Sequence, residues 1–148
     1  MSYLGWKFVH VAGAFAFVAS HGTSAAVLFR LRAEREPPRI QALLDLSRST
    51  RGLMYSSLVV LVGSGIVTGS RLQMWGSGWI WTSIGLLVFL FLAAVALALP
   101  YYRRVRRLLE DGSDDVVSML RSPLPIVIAI VETAGILAIL WLMVFKPF

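Results

Sequence analysis

Four long apolar stretches separated by polar segments dominate the pattern of this chain. They run over about residues 4–29, 53–70, 79–100 and 124–145. Each comes near the ~20 residues that a helix needs to cross ~30 Å of hydrocarbon. Runs such as LLVFLFLAAVALAL lack the alternation of a barrel strand, and only helices or closed barrels satisfy their backbone in lipid. The pattern predicts an all-α, integral membrane four-helix bundle, with residues 1–148 forming a single transmembrane domain.

Arginines predict the orientation of this bundle. They crowd the first and third connections and leave Arg71 as the one arginine of the second; they are Arg30, Arg32, Arg35, Arg39, Arg48, Arg51, and then Arg103, Arg104, Arg106, Arg107 and Arg121. By the positive-inside rule, the two arginine-rich connections are cytoplasmic and both termini lie outside. Trp6, Trp75, Trp79 and Trp81 then fall near the outer boundary, as an aromatic belt would.

The first connection contains a further helical pattern. Pro37 and Pro38 can begin a helix, because proline is tolerated in the first helical turn. Apolar residues then recur at roughly helical spacing, at Ile40, Leu43, Leu44 and Leu46. This pattern predicts a short amphipathic helix over about residues 38–48 that lies at the membrane surface.

Composition narrows the class of protein further. Hydrophobic residues make up 57% of the chain and charged residues 15%, against roughly 45–50% and 25% in soluble domains. The chain has no cysteine, which excludes disulfides, iron–sulfur clusters and cysteine nucleophiles. The net charge of +6 comes from residues that border the apolar blocks, so it indicates membrane topology, and we expect no nucleic-acid partner. The first stretch is too long for the apolar region of a signal peptide and is expected to remain as a helix.

Three ionisable residues lie well inside the predicted spans: His10, His21 and Glu132. Such residues are costly in lipid, so they predict a functional role. Eleven residues make about three helical turns, which places the two histidines on one face about 16 Å apart. His21 and Glu132 lie at similar depth from the predicted cytoplasmic edge. We therefore predict that they are in contact, with the carboxylate orienting the imidazole.

Two cofactor chemistries suit histidines in such spans. Imidazole is an axial ligand of haem iron, so His10 and His21 are candidate ligands of haem b. Because both come from one helix, the second axial position would be open, shared across a dimer or partner, or filled by another residue such as Met54 or Met143. Copper is the alternative, since imidazole and thioether suit Cu(I); His10, Met1 and Met74 all lie towards the outer side.

A purely structural interpretation stands beside these. Membrane histidines also hydrogen-bond between helices, and Glu132 could do the same. Small residues in the first two spans predict close helix packing; they are Ala12, Gly13, Ala16, Ala19, Gly65 and Gly69.

The first span also carries a resemblance. YLGWKFVHVAGAFAFVASHGTSAAVLFRLRAE (residues 3–34) resembles the opening of a group of small four-helix bacterial membrane proteins. The group includes copper-resistance D-like domains and the haem-associated protoporphyrinogen oxidase type. The resemblance implies the four-span fold and matches His10 to the first-helix histidine. The oxidase type has a lysine after a tryptophan in the third span, and Ser83 stands there instead, so the resemblance does not imply the oxidase reaction.

These observations predict a small multi-pass protein of the bacterial inner (plasma) membrane that binds haem b or a related redox cofactor through His10, His21 or both. Its role would be electron transfer or haem handling. The first alternative is a non-catalytic accessory subunit of a larger respiratory or photosynthetic membrane complex, and a further one is copper handling at the outer face. Membrane lipids, further copies of the chain or other membrane subunits are the expected partners. The sequence specifies no catalytic residue.

Overall fold

Helices account for nearly all of the fold in the computed structural model, which describes residues 2–148. Six α-helices follow one another along the chain: α1 (Tyr3–Ala33), α2 (Pro37–Arg71), α3 (Gly78–Ala93), α4 (Leu99–Glu110), α5 (Asp115–Leu120) and α6 (Leu124–Phe145). A 3-10 turn, Met74–Gly76, precedes α3, and a π-helical turn, Ala94–Ala98, joins α3 to α4.

The predicted all-α, four-span class is confirmed. Four helical stretches are long and apolar enough to cross a membrane: Tyr3–Ala33, Pro37–Arg71, Gly78–Glu110 and Asp115–Phe145. Each of the four apolar stretches of the sequence lies within one of them. The orientation of the termini stays a prediction.

The amphipathic pattern over residues 38–48 takes a different form from the separate surface helix that we predicted. It is the first part of α2, which continues without a break to Arg71. Ser49 and Thr50 keep helical geometry and donate their hydroxyl hydrogens to the Leu46 carbonyl of the same helix. Ile40 and Leu44 are almost fully buried, at 1% and 3% exposure. Ile40 and Leu44 therefore pack on the protein's own core, while Leu46 is exposed, and contact of this segment with the membrane surface stays a prediction.

Both arginine-rich connections lie at one end of the bundle, which we call the basic end. Here α1, α2, α4 and α5 share a cluster of buried side chains: Val27, Leu31, Ile40, Leu44, Tyr101, Val105, Val116 and Leu120. Polar contacts fasten the same end. Arg32 donates to the carbonyl oxygens of Leu120 and Ser122, and the Tyr101 hydroxyl donates to the Met119 carbonyl at 3.1 Å.

Tryptophans mark the opposite end, which we call the tryptophan end. Trp79, Ile80 and Leu142 form a small buried cluster there. The Trp79 backbone N–H donates to the Phe148 carbonyl at 3.3 Å, and the Lys146 ammonium lies 5.8 Å from the centre of the Trp79 ring. These contacts tie the end of the chain to the start of α3.

Between the two ends the helices pack mainly as two pairs, α1 with α2 and α3 with α6. Gly13 allows a close approach in the first pair, because a Cβ atom there would lie only 3.1 Å from the Leu61 backbone nitrogen. The π-helical turn directly precedes Pro100, whose ring cannot fit a regular α-helical turn. The Leu99 N–H accordingly bonds to the Ala94 carbonyl, five residues back. A cavity remains where the two pairs meet.

Candidate functional site

His10 is held against α2 by a hydrogen bond to the backbone. Its Nδ1 atom lies 2.9 Å from the Leu61 carbonyl oxygen. A carbonyl can only accept, so Nδ1 carries the ring proton, and Nε2 keeps its lone pair. Within residues 2–148, Nε2 has no hydrogen-bond partner. Gly65 leaves room for the ring, since a Cβ atom at this position would lie 2.9 Å from Cε1 of His10.

His21 has both of its ring nitrogens directed at α6. Nε2 lies 3.2 Å from the Thr133 hydroxyl oxygen. That hydroxyl donates its own hydrogen to the Ala129 carbonyl at 2.7 Å, so its oxygen accepts from His21. Nδ1 lies 3.7 Å from Oε2 of Glu132. The pairing suggested by the depth of these residues is thus present as a contact.

The His21–Glu132 contact has a consequence for protonation. With Nε2 donating to Thr133, a neutral ring would present the Nδ1 lone pair to Glu132. A lone pair and an ionised carboxylate repel each other, so this contact favours a proton on Nδ1 or on the carboxyl group. The protonation of His21 and that of Glu132 are therefore linked through this contact.

The two histidines do not form one site. They lie on α1 at nearly the same angular position, yet His10 contacts α2 and His21 contacts α6. The helix that borders this face of α1 changes with depth, which the sequence spacing could not reveal. The prediction that either histidine binds a cofactor is a separate matter and stays a prediction.

The methionines considered as further ligands are dispersed. Met74 and Met143 pack against the Trp79 cluster at the tryptophan end, while Met54 lines the cavity near His21. Met1 lies outside the described residues. Over residues 2–148, no group of three or more histidine, cysteine or acidic side chains is placed to hold a metal ion.

The cavity between the helix pairs has a volume of about 100 Å³ and is lined by His21, Glu132 and residues of every span. A second cavity, of about 60 Å³, opens towards Arg103 and Arg106 at the basic end. The two cavities share Ser47, Arg51 and Tyr102 in their walls. The sequence analysis did not single out Ser47 or Tyr102, and it used Arg51 only to predict orientation, although its place just before the second apolar stretch was a usable signal.

Ser83 stands where the resembling oxidase type has a lysine. It is buried, and its hydroxyl donates to the Trp79 carbonyl of the same helix at 2.8 Å. This position therefore completes an internal helix contact and offers no charge.

Comparison with known proteins places the chain in a family defined by its sequence. Neither the search of the curated proteins nor that of the solved structures gave a match. The family match supports the resemblance stated above only at the level of an integral membrane protein. The narrower likeness to copper-resistance D-like domains and the oxidase type stays a prediction. Because the match extends over residues 4–147, the protein belongs to the DUF2269 family, which is described as a predicted integral membrane protein.

Proposed function

We propose that this protein binds haem b or a related redox cofactor through His10 and serves in electron transfer or haem handling in the bacterial inner membrane. The observation that carries the proposal is the hydrogen bond from Nδ1 of His10 to the Leu61 carbonyl. Metal-ligating histidines almost always donate their other ring N–H in this way, which fixes the tautomer and makes the free nitrogen more basic. Nε2 of His10 is then available as an axial ligand.

The same reasoning argues against His21 as a ligand. Its two ring nitrogens contact Thr133 and Glu132, and binding iron would require breaking one of these contacts. His10 therefore suits a haem with one histidine ligand from this chain. When bound, haem supplies one-electron redox chemistry, while the protein holds and orients the ligand.

A haem on His10 would lie at the surface of the bundle, outside the cavity between the helix pairs. The cavity of about 100 Å³ lies beside His21 and is smaller than the ~300–1,000 Å³ of ordinary ligand pockets. A haem on His10 would therefore rest against exposed apolar side chains, against lipid or against a second membrane protein. A second copy of the chain or another subunit could also offer the second axial ligand.

A role as an accessory subunit is the second candidate function. In the most apolar part of each span, only 11–22% of the residues are buried inside the protein. Most of the intramembrane surface is thus free to meet lipid or other subunits. Copper bound by His10 at the outer side is the third candidate, and it uses the same free Nε2.

One preparation separates these candidates. The full chain is purified in mild detergent, absorption spectra are recorded before and after reduction, and iron and copper are measured by elemental analysis. We expect a Soret band that shifts on reduction and is lost in His10→Ala. A colourless protein that contains copper would favour the third candidate. A colourless, metal-free protein that retains stable partners would overturn the haem proposal and favour the subunit.

A further inference from the structure

The two cavities lie next to each other between the basic end and His21, and we refer to the pair as the path. Ser47, Arg51 and Tyr102 line both cavities. On one side are Arg103 and Arg106, and on the other are His21 and Glu132. The path therefore begins among arginines and ends among groups inside the span.

Hydrogen-bond donors without acceptors line this path. The Arg51 guanidinium, the Ser47 hydroxyl and the Tyr102 hydroxyl have no hydrogen-bond or ion-pair partner within residues 2–148. The Ser24 hydroxyl oxygen is shut off from solvent and has no partner either. Leaving such groups unpaired is unfavourable. Four donors around one space favour an acceptor, and the arginine favours an anion.

Arg51 differs in this respect from three other arginines of the basic end. Arg106 is paired with Asp45 at 2.9 Å, Arg39 with Glu36 at 2.9 Å, and Arg32 donates to two backbone carbonyls. Arg51 is partly buried and faces both cavities. Among residues 2–148 its guanidinium therefore faces the path without an ion-pair partner, and the nearest acidic residue in the lining is Glu132 of the same cavity.

The deeper part of the path is mostly apolar. Leu28, Met54, Ala94, Ala98 and Ile128 contribute to its wall. Two of these, Ala94 and Ala98, come from the π-helical turn, where small side chains leave space. A hydrocarbon chain can pack against such a wall, whereas a second anionic group placed there would lie near the Glu132 carboxyl group.

We propose that this path binds a membrane amphiphile whose phosphate lies at Arg51, Ser47 and Tyr102 and whose hydrocarbon chain enters the small cavity beside His21 with only part of its length. Basic pockets between membrane helices are known binding places for lipid head groups. The proposal is independent of the haem proposal, since it uses none of the contacts of His10.

Native mass spectrometry of the full chain tests the head-group contact. It measures the binding of added phosphatidylglycerol or phosphatidylcholine. Arg51→Gln should weaken phosphatidylglycerol binding about tenfold or more, because it removes a charge-assisted hydrogen bond. The matched control is Arg48→Gln, which removes the same charge from an exposed position of the same helix. Equal losses in both variants would show only general surface attraction and would overturn the proposal. Arg51→Lys keeps the charge and should retain part of the binding.

A second pair of variants tests the chain-binding part without changing charge. Ala98→Leu fills the cavity and should lower phosphatidylglycerol binding, while Ala96→Leu, at an exposed position of the same turn, should not. Equal binding by both would overturn the proposed place of the chain. Inorganic phosphate is then added as a competitor. Failure to displace the lipid at equal concentration supports an amphiphile, whereas full displacement would show that free phosphate is the ligand.

Discussion

The region around His10 and the region around His21 use the same residue type in opposite ways. His10 gives one nitrogen to a backbone carbonyl of α2 and keeps the other free. His21 gives one nitrogen to Thr133 and faces Glu132 with the other. The first arrangement leaves a lone pair for an external ligand, and the second satisfies the ring within the protein. The role that we infer for a histidine inside a membrane span therefore depends on whether its second ring nitrogen has a partner within the protein.

The surroundings of the two histidine rings also differ in whether they contain ionisable groups. Close to His10 the neighbouring helix offers Gly65 and a backbone carbonyl, which add no ionisable group. Close to His21 are the carboxyl group of Glu132, the Tyr102 ring and the arginine that reaches into the cavity. The His10 region is thus a place where a ligand could meet a ring nitrogen that has no other partner among residues 2–148. The His21 region is a place where ionisable groups face one another.

The largest expected effect comes from moving the His10 ring. In Gly65→Ala, the new methyl group would lie 2.9 Å from Cε1 and 3.2 Å from Nδ1 of His10. The ring must shift, and we expect this shift to weaken its contact with Leu61. Losing such a supporting contact costs roughly 10–100-fold in metal affinity, which a haem titration followed by absorbance measures. Gly63→Ala is the control, because a Cβ atom at Gly63 meets nothing within 4 Å. Equal affinity in the two variants would contradict the role given to the Leu61 contact.

A smaller effect is expected from loosening His21. Thr133→Val removes the oxygen that accepts from Nε2. The free energy of unfolding should fall by about 0.6–2 kcal/mol, the usual range for a hydrogen bond between membrane helices. Reversible unfolding in mixed detergent measures this, with Thr23→Val as control, since Thr23 bonds only within its own helix. Haem content should stay unchanged, and a loss of haem in Thr133→Val would break the contrast between the two regions.

The smallest effect is expected at Ser64. Its hydroxyl lies 3.4 Å from Nδ1 of His10, and it already donates to the Val60 carbonyl. A contact of that length is at the limit of a hydrogen bond, so Ser64→Ala should change haem affinity less than about threefold. The same titration decides this. A change as large as that of Gly65→Ala would transfer the orienting role from Leu61 to Ser64.

The sequence was sufficient to predict most of the fold. The four apolar stretches predicted the four spans, because a segment that crosses lipid needs a certain length and must satisfy its backbone hydrogen bonds within a helix. The pattern over residues 38–48 predicted a helix there, but it could not predict which residues pack against the apolar face of that helix. Ile40 and Leu44 pack against α1, α4 and α5, and this docking depends on side chains distant along the chain.

The candidate site was predictable only in part. Depth counting brought His21 and Glu132 together, because two helices that share an edge of the membrane share a depth scale. The helical spacing put His10 and His21 on one face of α1. It could not show that His10 contacts α2 while His21 contacts α6. The cavity was also out of reach, since it depends on how the two helix pairs meet and on the π-helical turn before Pro100.

The most direct test of the contrast compares the two histidines in one experiment. The full chain, His10→Ala and His21→Ala are purified in the same detergent, and haem per protein is measured from oxidised and reduced spectra. The account predicts that His10→Ala loses the Soret band while His21→Ala keeps its position and most of its intensity. Loss of the band in His21→Ala with retention in His10→Ala would contradict it.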